Sequence, residues 1–261
     1  MFIKKPPYPK RIMITIEEYL ISEGHKDCSG TALEEILADN LNGPRLEKYH
    51  ELMHMLESCN TQKEVKEFYD YCLEAGITQH FENGLWEGTV KRTAIVNKHI
   101  RPGMLAIDLG CGEGLRTIFY ALINPDTRFY GSDIRKNALM AAKARGEKYH
   151  RTNLRLLAAD NTSPPLKEVF DLAISDHNLH ETQKFWDPYD DFGSKLKSIS
   201  GMLKQGGKAV ILLSPHSAGA LQGLLSVTAK AAGLEPEFST FSYTRYSDNQ
   251  TDLVMKATKT G

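Results

Sequence analysis

The stretch from Met104 to Gly114 constrains the fold more than any other part of the chain. It begins as an apolar run of strand length, Met104 to Leu109, that carries a single acid, Asp108. Three glycines at alternate positions follow, and then helix-compatible residues from 115 to 123. This order predicts a strand, a tight turn and a helix start, the first unit of a nucleotide-binding α/β sheet. Glycine is expected in such a turn because it accepts positive φ and lets the backbone approach a ligand closely.

The charge of this turn indicates which ligand it binds. Its spacing is G-x-G-x-G over Gly110, Gly112 and Gly114, whereas a dinucleotide-binding turn reads G-x-G-x-x-G and holds a pyrophosphate. Glu113 lies inside the turn and Asp108 just before it, so two carboxylates would repel a pyrophosphate. They suit a ligand that carries an ammonium and a sulfonium group, as S-adenosylmethionine does.

The run from Asp108 to Gly114 resembles the first motif of class I S-adenosylmethionine-dependent methyltransferases. The resemblance implies an α/β fold of the Rossmann-like type, with a seven-stranded, mostly parallel sheet, and S-adenosylmethionine as the cofactor. It also implies that Asp108 and the turn residues Gly110, Cys111, Gly112 and Gly114 hold the methionine end of that cofactor.

Three further strands of the predicted sheet each end in an acid. These acids are Asp133, Asp160 and Asp176, at the ends of the runs 128–133, 153–160 and 169–176. Because ligands of open α/β sheets bind beyond the carboxyl ends of the strands, we expect all three to line the cofactor site. Taken singly, each acid has an alternative role as a helix cap or as a solvated turn residue.

The strand-end acids and their neighbours receive individual roles in this site. We expect Asp133 to accept hydrogen bonds from both ribose hydroxyls, and Ile134 to lie on the adenine face. Asp160, or the amide of Asn161, would receive the exocyclic amine of adenine. The resemblance places the family's ribose and base contacts at these same positions. Asp176 is expected to contact the cofactor, with binding of a substrate amine as an equal possibility.

The segment after the fourth strand, Ser175 to Glu181, is where the chemistry is expected, since it matches the position beside the activated methyl in the family. Methyl transfer is an in-line displacement, so the enzyme positions a nucleophile and, for hydroxyl acceptors, removes a proton. His177 and His180 are candidate bases because histidine titrates near neutral pH, and Asp176 is the third candidate catalytic residue. A structural hydrogen bond within the turn is the alternative for His180.

Helices are predicted throughout the first ninety residues. Three capping-box patterns mark helix starts and three glycines mark helix ends. The patterns begin at Thr15, Thr31 and Thr61, and the glycines are Gly24, Gly43 and Gly76. The helices should run near residues 15–23, 31–41, 44–58 and 61–75. We interpret residues 1–88 as an N-terminal helical cap, or lid region, and residues 89–261 as the S-adenosylmethionine-binding domain.

The end of the cap resembles the segment that closes over cofactor and substrate in small-molecule methyltransferases. There a Phe-Tyr-Asp helix leads into an aromatic, glycine-containing loop, here residues 79–88. Such a lid would exclude water and fix the reactants in line. The resemblance implies Tyr69, His80 and Trp86 as lid residues, and Trp186 lies in an aromatic loop that is a candidate substrate wall. Ordinary packing is the alternative for the first three, and a surface turn with a buried tryptophan is the alternative for the Trp186 loop.

The remaining elements complete the predicted sheet. Helices are expected over 89–99, 192–203 and 218–232, a short helical turn over 166–168, a glycine turn and strand over 203–213, and strands over 237–246 and 251–258. The last two strands should form the antiparallel hairpin that distinguishes this family from dehydrogenases.

Composition and charge limit the other functions. The formal net charge of −1 argues against a broad nucleic-acid footprint. The four cysteines show neither a C-x-x-C pair nor metal-ligand spacing with histidine, so we expect reduced thiols, no metal and a cytoplasmic location. The longest apolar run, residues 209–213, is too short to span a bilayer, and the basic N-terminus has no apolar signal core.

We therefore expect an S-adenosylmethionine-dependent methyltransferase that acts on the oxygen, nitrogen or carbon of a small molecule. Methylation of a protein or an RNA is one alternative. Binding of S-adenosylmethionine without turnover is another, because binding alone would need the same turn and acids. A dehydrogenase is disfavoured by Glu113 and by the late hairpin. The sequence specifies neither the acceptor nor the oligomeric state.

Overall fold

The computed structural model describes residues 13–58, 62–160, 166–176, 188–213, 215–246 and 248–260. The helices are α1 (Ile16–Ser22), α2 (Leu33–Asn40), α3 (Gly43–Ser58), α4 (Gln62–Glu74), α5 (Ile77–Gly84), α6 (Trp86–Asn97), α7 (Leu115–Ile123), α8 (Lys136–Lys148), α9 (Pro188–Met202) and α10 (Pro215–Ala231). The strands are β1 (Leu105–Leu109), β2 (Arg128–Asp133), β3 (Leu154–Ala158), β4 (Phe170–Asp176), β5 (Leu203–Leu213), β6 (Leu234–Arg245) and β7 (Asp248–Lys259).

The seven strands form one sheet in the order β3-β2-β1-β4-β5-β7-β6. Strands β1 to β5 are parallel, and β7 runs antiparallel to both β5 and β6. The predicted seven-stranded, mostly parallel sheet with a late hairpin is therefore confirmed. The strand order reverses between β1 and β4, so a ligand crevice is expected where these two strands end.

Helices cover both faces of the sheet. Ile174 packs in a core with α1, α6 and α7, whereas the neighbouring Ala173 packs in a second core with α9 and α10. Successive strand residues point to opposite faces, and along the central strands β1 and β4 both faces are buried, which explains why these strands are mostly apolar in the sequence. In the described part of the chain, no helix combines the length and apolar character needed to cross a membrane.

Helices α2 to α5 form a hydrophobic cluster of their own around Leu37, Tyr49, Phe68 and Ile77. Helices α1 and α6 belong instead to the core on the first face of the sheet. Helix α6 runs through the predicted boundary at residue 88, and the division of the chain into cap and cofactor-binding domain stays a prediction.

The expected loop over residues 79–88 is wrong, because this segment is almost entirely helical. Helix α5 continues to Gly84, and α6 begins two residues later. Its glycines make room for another element instead of breaking a helix. A Cβ on Gly88 would lie 2.5 Å from the Tyr243 ring, and one on Gly84 would overlap the Tyr246 ring. The glycines therefore let the β6–β7 hairpin approach the two helices closely.

The helix starts show which capping signals operate. The Thr15 hydroxyl accepts a hydrogen bond from the Glu18 N–H at 3.1 Å, and the Glu18 carboxylate accepts one from the Thr15 N–H at 2.8 Å. The box expected at Thr31 is wrong, since α2 begins without a side-chain cap. Gly43 starts α3 instead of ending α2. Thr61 lies outside the described residues.

Two further expectations near β4 and β5 are corrected. The glycine turn expected before the fifth strand lies within β5, where Gly206 has a φ of 73°. The register between β4 and β5 shifts between Phe170 and Leu172, so the glycine belongs to an irregularity of the strand. Residues 166–168 form no helical turn.

Candidate functional site

The turn after β1 is joined to the end of β2 by three hydrogen bonds. The N–H groups of Gly110 and Cys111 donate to the carbonyl oxygen of Ser132 at 2.8 and 2.9 Å. The N–H of Gly112 donates to Oδ2 of Asp133 at 2.9 Å. Gly110 and Gly112 have φ values of 72° and 54°, which favour glycine. The glycine turn and the acid that ends β2 therefore form one connected unit.

The glycines of this turn serve two different purposes. Among the described residues, a Cβ on Gly112 would meet only Nη2 of Arg135, at 3.4 Å, so these residues leave the backbone there open to a ligand. A Cβ on Gly114 would lie 2.9 Å from Cβ of Ala142. Close packing of α7 on α8 therefore requires Gly114. A contact between Gly114 and the cofactor stays a prediction.

Cys111 contributes to the shape of the turn. Its Sγ packs against Gly131, where an added Cβ would come within 2.9 Å. Burial raises the pKa of the thiol well above its ordinary value, and Asp108 and Asp133 raise it further. The thiol is therefore protonated at neutral pH and lies against the sheet. A contact between Cys111 and the cofactor stays a prediction.

Asp133 ends β2 and is 4% exposed. Besides the Gly112 N–H, its carboxylate accepts the N–H of Arg135 at 2.9 Å. Nε of Arg135 donates to Oδ1 at 3.2 Å, and Nη2 donates to Oδ2 at 3.4 Å. The predicted ribose acid thus lies directly beside the glycine turn, with an arginine across its carboxylate.

The residues expected at the adenine flank this acid. Ile134, which follows it directly, is 43% exposed, unusual for a large apolar side chain and compatible with a stacking surface. Strand β3 ends at Ala158, so Asp160 lies two residues beyond the strand instead of at its end. Asn161 lies outside the described residues.

Asp108 lies under the turn with its carboxylate buried, and it accepts a hydrogen bond from the Thr117 hydroxyl of α7. Burial raises the pKa of this carboxyl to about 6, against the opposing effects of Thr117 and Arg116. Asp176 and Asp133 raise it further. The structure therefore brings these three predicted acids close enough to influence one another.

Asp176 is held between two arginines that sequence reasoning missed. Its Oδ2 lies 3.0 Å from Nε of Arg116, and its Oδ1 lies 3.5 Å from Nε of Arg92. Nη1 of Arg116 also donates to Oε1 of Glu82 on α5 at 3.2 Å. Burial raises the pKa of Glu82, but the two arginines and the Thr89 hydroxyl outweigh burial and leave it below its usual value. A chain of ion pairs, from Glu82 through Arg116 and Asp176 to Arg92, thus joins helices α5 and α6 to the end of β4.

The side chain of Arg92 is deeply buried, at 1% exposure. Its Nη1 donates to the Tyr243 hydroxyl at 3.2 Å and to Oδ2 of Asp252 at 3.4 Å, and its Nη2 donates to the Thr89 hydroxyl at 3.3 Å. The guanidinium also lies 5.4 Å from the centre of the Tyr243 ring. Arg92 therefore connects α6 with β4, β6 and β7.

Tyr69, one of the predicted lid residues, contacts the arginine that pairs with Asp133. The centre of its ring lies 5.2 Å from Cζ of Arg135, which in turn contacts Asp133. Trp86 packs in the core on the first face of the sheet, which is the packing alternative. The lid roles of both residues stay predictions.

His80 lies on α5, partly buried. Burial lowers the pKa of its imidazole, and the nearby Lys26 and His25 lower it further. The ring is therefore neutral at physiological pH. Its Nδ1 is buried and has no hydrogen-bond partner among the described residues.

The predicted bases His177 and His180 and the predicted substrate wall Trp186 lie outside the described residues. Their roles stay predictions. Within the residues that the structure does describe, no group of three His, Cys, Asp or Glu side chains is arranged to hold a metal ion.

The fold and the residues at the carboxyl ends of its parallel strands define a class of protein. A seven-stranded sheet with an antiparallel β7, a G-x-G-x-G turn after β1 and an acid at the end of β2 are the features of a class I, Rossmann-like methyltransferase. The residues fit S-adenosylmethionine, because the open backbone at Gly112 and the carboxylates of Asp133 and Asp108 suit an adenosyl ligand with a cationic end.

Comparison with known proteins gives the family. Residues 100–235, more than half of the chain, match the family described as "Methyltransferase domain". The chain belongs to this family of methyltransferase domains. The reading as a dehydrogenase is thereby excluded.

The relatives differ in what they act on. The chain is 31% identical over 118 residues to the ribosomal RNA small subunit methyltransferase C of Actinobacillus succinogenes, a match that covers 45% of this chain. The chain spans about a third of the length of that curated relative, 32%.

Two solved structures share the fold. One is the 1,6-didemethyltoxoflavin-N1-methyltransferase of Burkholderia thailandensis with bound 1,6-didemethyltoxoflavin and S-adenosylhomocysteine (TM-score 0.55, 20% identity, covering 75% of this chain and 91% of that one). The other is the phosphoethanolamine N-methyltransferase 2 of Haemonchus contortus in complex with phosphomonomethylethanolamine and S-adenosylhomocysteine (TM-score 0.51, 15% identity, covering 66% and 52%).

Proposed function

We propose that this methyltransferase acts on a small molecule, which binds between helices α5 and α6 and the carboxyl ends of β4 and β5. The observation that carries the proposal is the pair of ion contacts over this edge, Glu82 with Arg116 and Arg92 with Asp176. They join α5 to α7 and α6 to the end of β4. A covered edge suits a small acceptor better than a folded macromolecule, because catalysis of methyl transfer gains from excluding water around closely positioned reactants.

The cofactor supplies a methyl group on a positively charged sulfur, and the chain supplies the groups that hold it. We assign the ribose hydroxyls to Asp133, the adenine face to Ile134 and the adenine amine to Asp160 or Asn161. The buried carboxylate of Asp108 is assigned to the cationic methionine end. Its pKa of about 6 supports this role, since the carboxyl is mostly ionised at neutral pH.

For the transfer itself we assign proton removal to His177 or His180. Asp176 is less suited to that task, since two guanidinium groups engage its carboxylate. Its proposed role is to orient Arg116 and Arg92 beneath the acceptor. A substrate amine would have to compete with both arginines for this carboxylate.

Methylation of RNA is the second candidate, and the curated relative that acts on ribosomal RNA favours it. The net charge of −1 argues against it, because non-specific nucleic-acid binding depends largely on neutralising phosphates with Lys and Arg.

The acceptor class is tested by incubating the enzyme with S-adenosylmethionine labelled in the methyl group. A small-molecule metabolite extract and purified ribosomal subunits are offered in parallel. Label in extracted small molecules is the expected result, whereas label confined to RNA would show that the second candidate is correct.

The ribose assignment has its own test. Asp133→Ala should weaken the binding of S-adenosylhomocysteine by roughly 1–3 kcal/mol, the scale for losing a charged hydrogen-bond acceptor, as measured by isothermal titration calorimetry. Asp126→Ala is the matched control, because Asp126 is an exposed acid before β2, at the other end of that strand. Equal affinities of the two variants would contradict the ribose role.

A further inference from the structure

Asp133 has no acceptor position left for a ribose hydroxyl while Arg135 keeps its present position. A carboxylate offers about four acceptor positions, two on each oxygen. Oδ1 accepts the backbone N–H and Nε–H of Arg135, and Oδ2 accepts the backbone N–H of Gly112 and Nη2–H of Arg135. All four positions are therefore in use.

Two of these four hydrogen bonds can be exchanged. The backbone donors of Gly112 and Arg135 are fixed by the turn and by the start of α8. The two guanidinium donors sit on a flexible side chain that is 16% exposed, with long donor–acceptor distances of 3.2 and 3.4 Å. If the guanidinium leaves, one position becomes available on each carboxylate oxygen, which matches the two hydroxyls of a ribose.

The guanidinium also lies over the ligand side of the glycine turn. Its Nη2 lies 3.4 Å from the position that a Cβ on Gly112 would take. This is the part of the turn that is open to a ligand. The Arg135 side chain and an adenosyl ligand would therefore compete for the same space as well as for the same carboxylate.

A cap residue stabilises this position of the arginine. The Tyr69 ring on α4 lies 5.2 Å from Cζ of Arg135, within the range of a cation–π contact. The positive charge of Arg135 also reaches Cys72, one turn along α4, where it opposes the rise in the thiol pKa that burial causes. Arg135 thus links α4 to the end of β2.

We propose that Arg135 competes with the ribose of S-adenosylmethionine for Asp133 and thereby sets the affinity for the cofactor. Binding exchanges the two guanidinium hydrogen bonds for two ribose hydroxyls, while both backbone N–H donors stay in place. The apparent affinity is then reduced by the fraction of molecules in which the guanidinium covers the carboxylate. This inference rests on the ribose role proposed for Asp133.

The test is isothermal titration of the full chain with S-adenosylhomocysteine, which binds without turnover. Arg135→Ala should bind roughly tenfold more tightly than the wild type, because the competitor is gone. Arg135→Gln keeps the polar side chain without the fork or the charge, and it should change affinity in the same direction by less. Lys136→Ala is the matched control, since it removes an exposed positive charge one residue away and should stay within about twofold of the wild type.

A variant pair separates this inference from the ribose role on which it rests. Asp133→Asn should weaken binding, and adding Arg135→Ala to it should bring no further gain. If Asp133→Asn binds as tightly as the wild type, the ribose role fails, and this inference fails with it. If Asp133→Asn binds weakly but neither Arg135 variant binds more tightly than the wild type, the inference alone is overturned.

Discussion

Asp108 is the residue at which folding and function oppose each other most directly. Burial raises the pKa of its carboxyl from 3.8 to about 6. Between these two values the folded state binds the proton more tightly than the unfolded state, so the contribution of this group to stability increases as the pH falls from above 6 toward 4. At neutral pH, keeping the buried carboxylate ionised costs about 3 kcal/mol. Binding a cationic cofactor is the benefit that the ionised form offers.

Replacing this charge should stabilise the fold at neutral pH. Asp108→Asn is expected to raise the free energy of unfolding at pH 7.5 by up to about 3 kcal/mol, because the amide has no charge to bury and can still accept from Thr117. The gain should shrink at pH 5, where the wild-type carboxyl is mostly protonated. Urea unfolding at both pH values measures it. For the exposed control Asp126→Asn, the free energy of unfolding should stay within about 0.5 kcal/mol of the wild-type value at both pH values. A stabilisation by Asp108→Asn that is equal at pH 7.5 and pH 5 would contradict the argument.

At the scale of elements, the contact between α6 and the β6–β7 hairpin reverses the usual effect of a helical glycine. Replacing glycine by alanine inside a helix ordinarily stabilises it by about 1 kcal/mol. Gly88→Ala should instead destabilise the protein by roughly 1–3 kcal/mol, because the new methyl would lie 2.5 Å from the Tyr243 ring. That ring cannot easily move, since its hydroxyl is hydrogen-bonded to Arg92 and Asp252.

The same substitution elsewhere provides the control. A Cβ on Gly146 in α8 would lie 3.5 Å from Leu154, an ordinary contact, so Gly146→Ala should be neutral or stabilising by up to about 1 kcal/mol. Thermal or urea unfolding of the two variants compares them directly. A stabilised Gly88→Ala would show that the hairpin does not press on α6.

These elements also show what the sequence could and could not predict. The strands and their terminal acids follow from local patterns, an apolar run and a polar residue where it stops, and the structure confirms Asp133 and Asp176 as strand ends. The role of Gly84 and Gly88 within these helices depends on the Tyr243 and Tyr246 rings, which lie about 160 positions away in the chain. No local pattern could indicate that a glycine there serves close packing.

At the scale of the whole molecule, Arg92 is the residue that joins helix α6 to three strands of the sheet. It contacts Asp176 at the end of β4, Asp252 on β7 and Tyr243 on β6. Sequence reasoning missed it because Asp252 lies 160 positions away, and an arginine in a helix is most often exposed. The carboxyl edge of the sheet could be predicted from the sequence, but the ion-pair chain that covers it could not.

Breaking these ion pairs should therefore lower the free energy of unfolding far more than the loss of an ordinary surface ion pair would. Arg92→Met keeps a long side chain but leaves the buried carboxylate of Asp252 without its guanidinium, and loss of one partner of a buried pair typically costs about 3–5 kcal/mol. Lys91→Met is the matched control: it removes an exposed pair with Glu87 from the same helix and should cost about 1 kcal/mol or less.

Adding Asp252→Asn to Arg92→Met should recover part of the lost stability, because it removes the carboxylate charge that Arg92→Met leaves buried without its guanidinium. Urea unfolding of the three variants measures these differences in the free energy of unfolding. If Arg92→Met costs no more than Lys91→Met, the ion pairs of Arg92 do not hold α6 against the sheet, and the proposed cover over the acceptor site is contradicted.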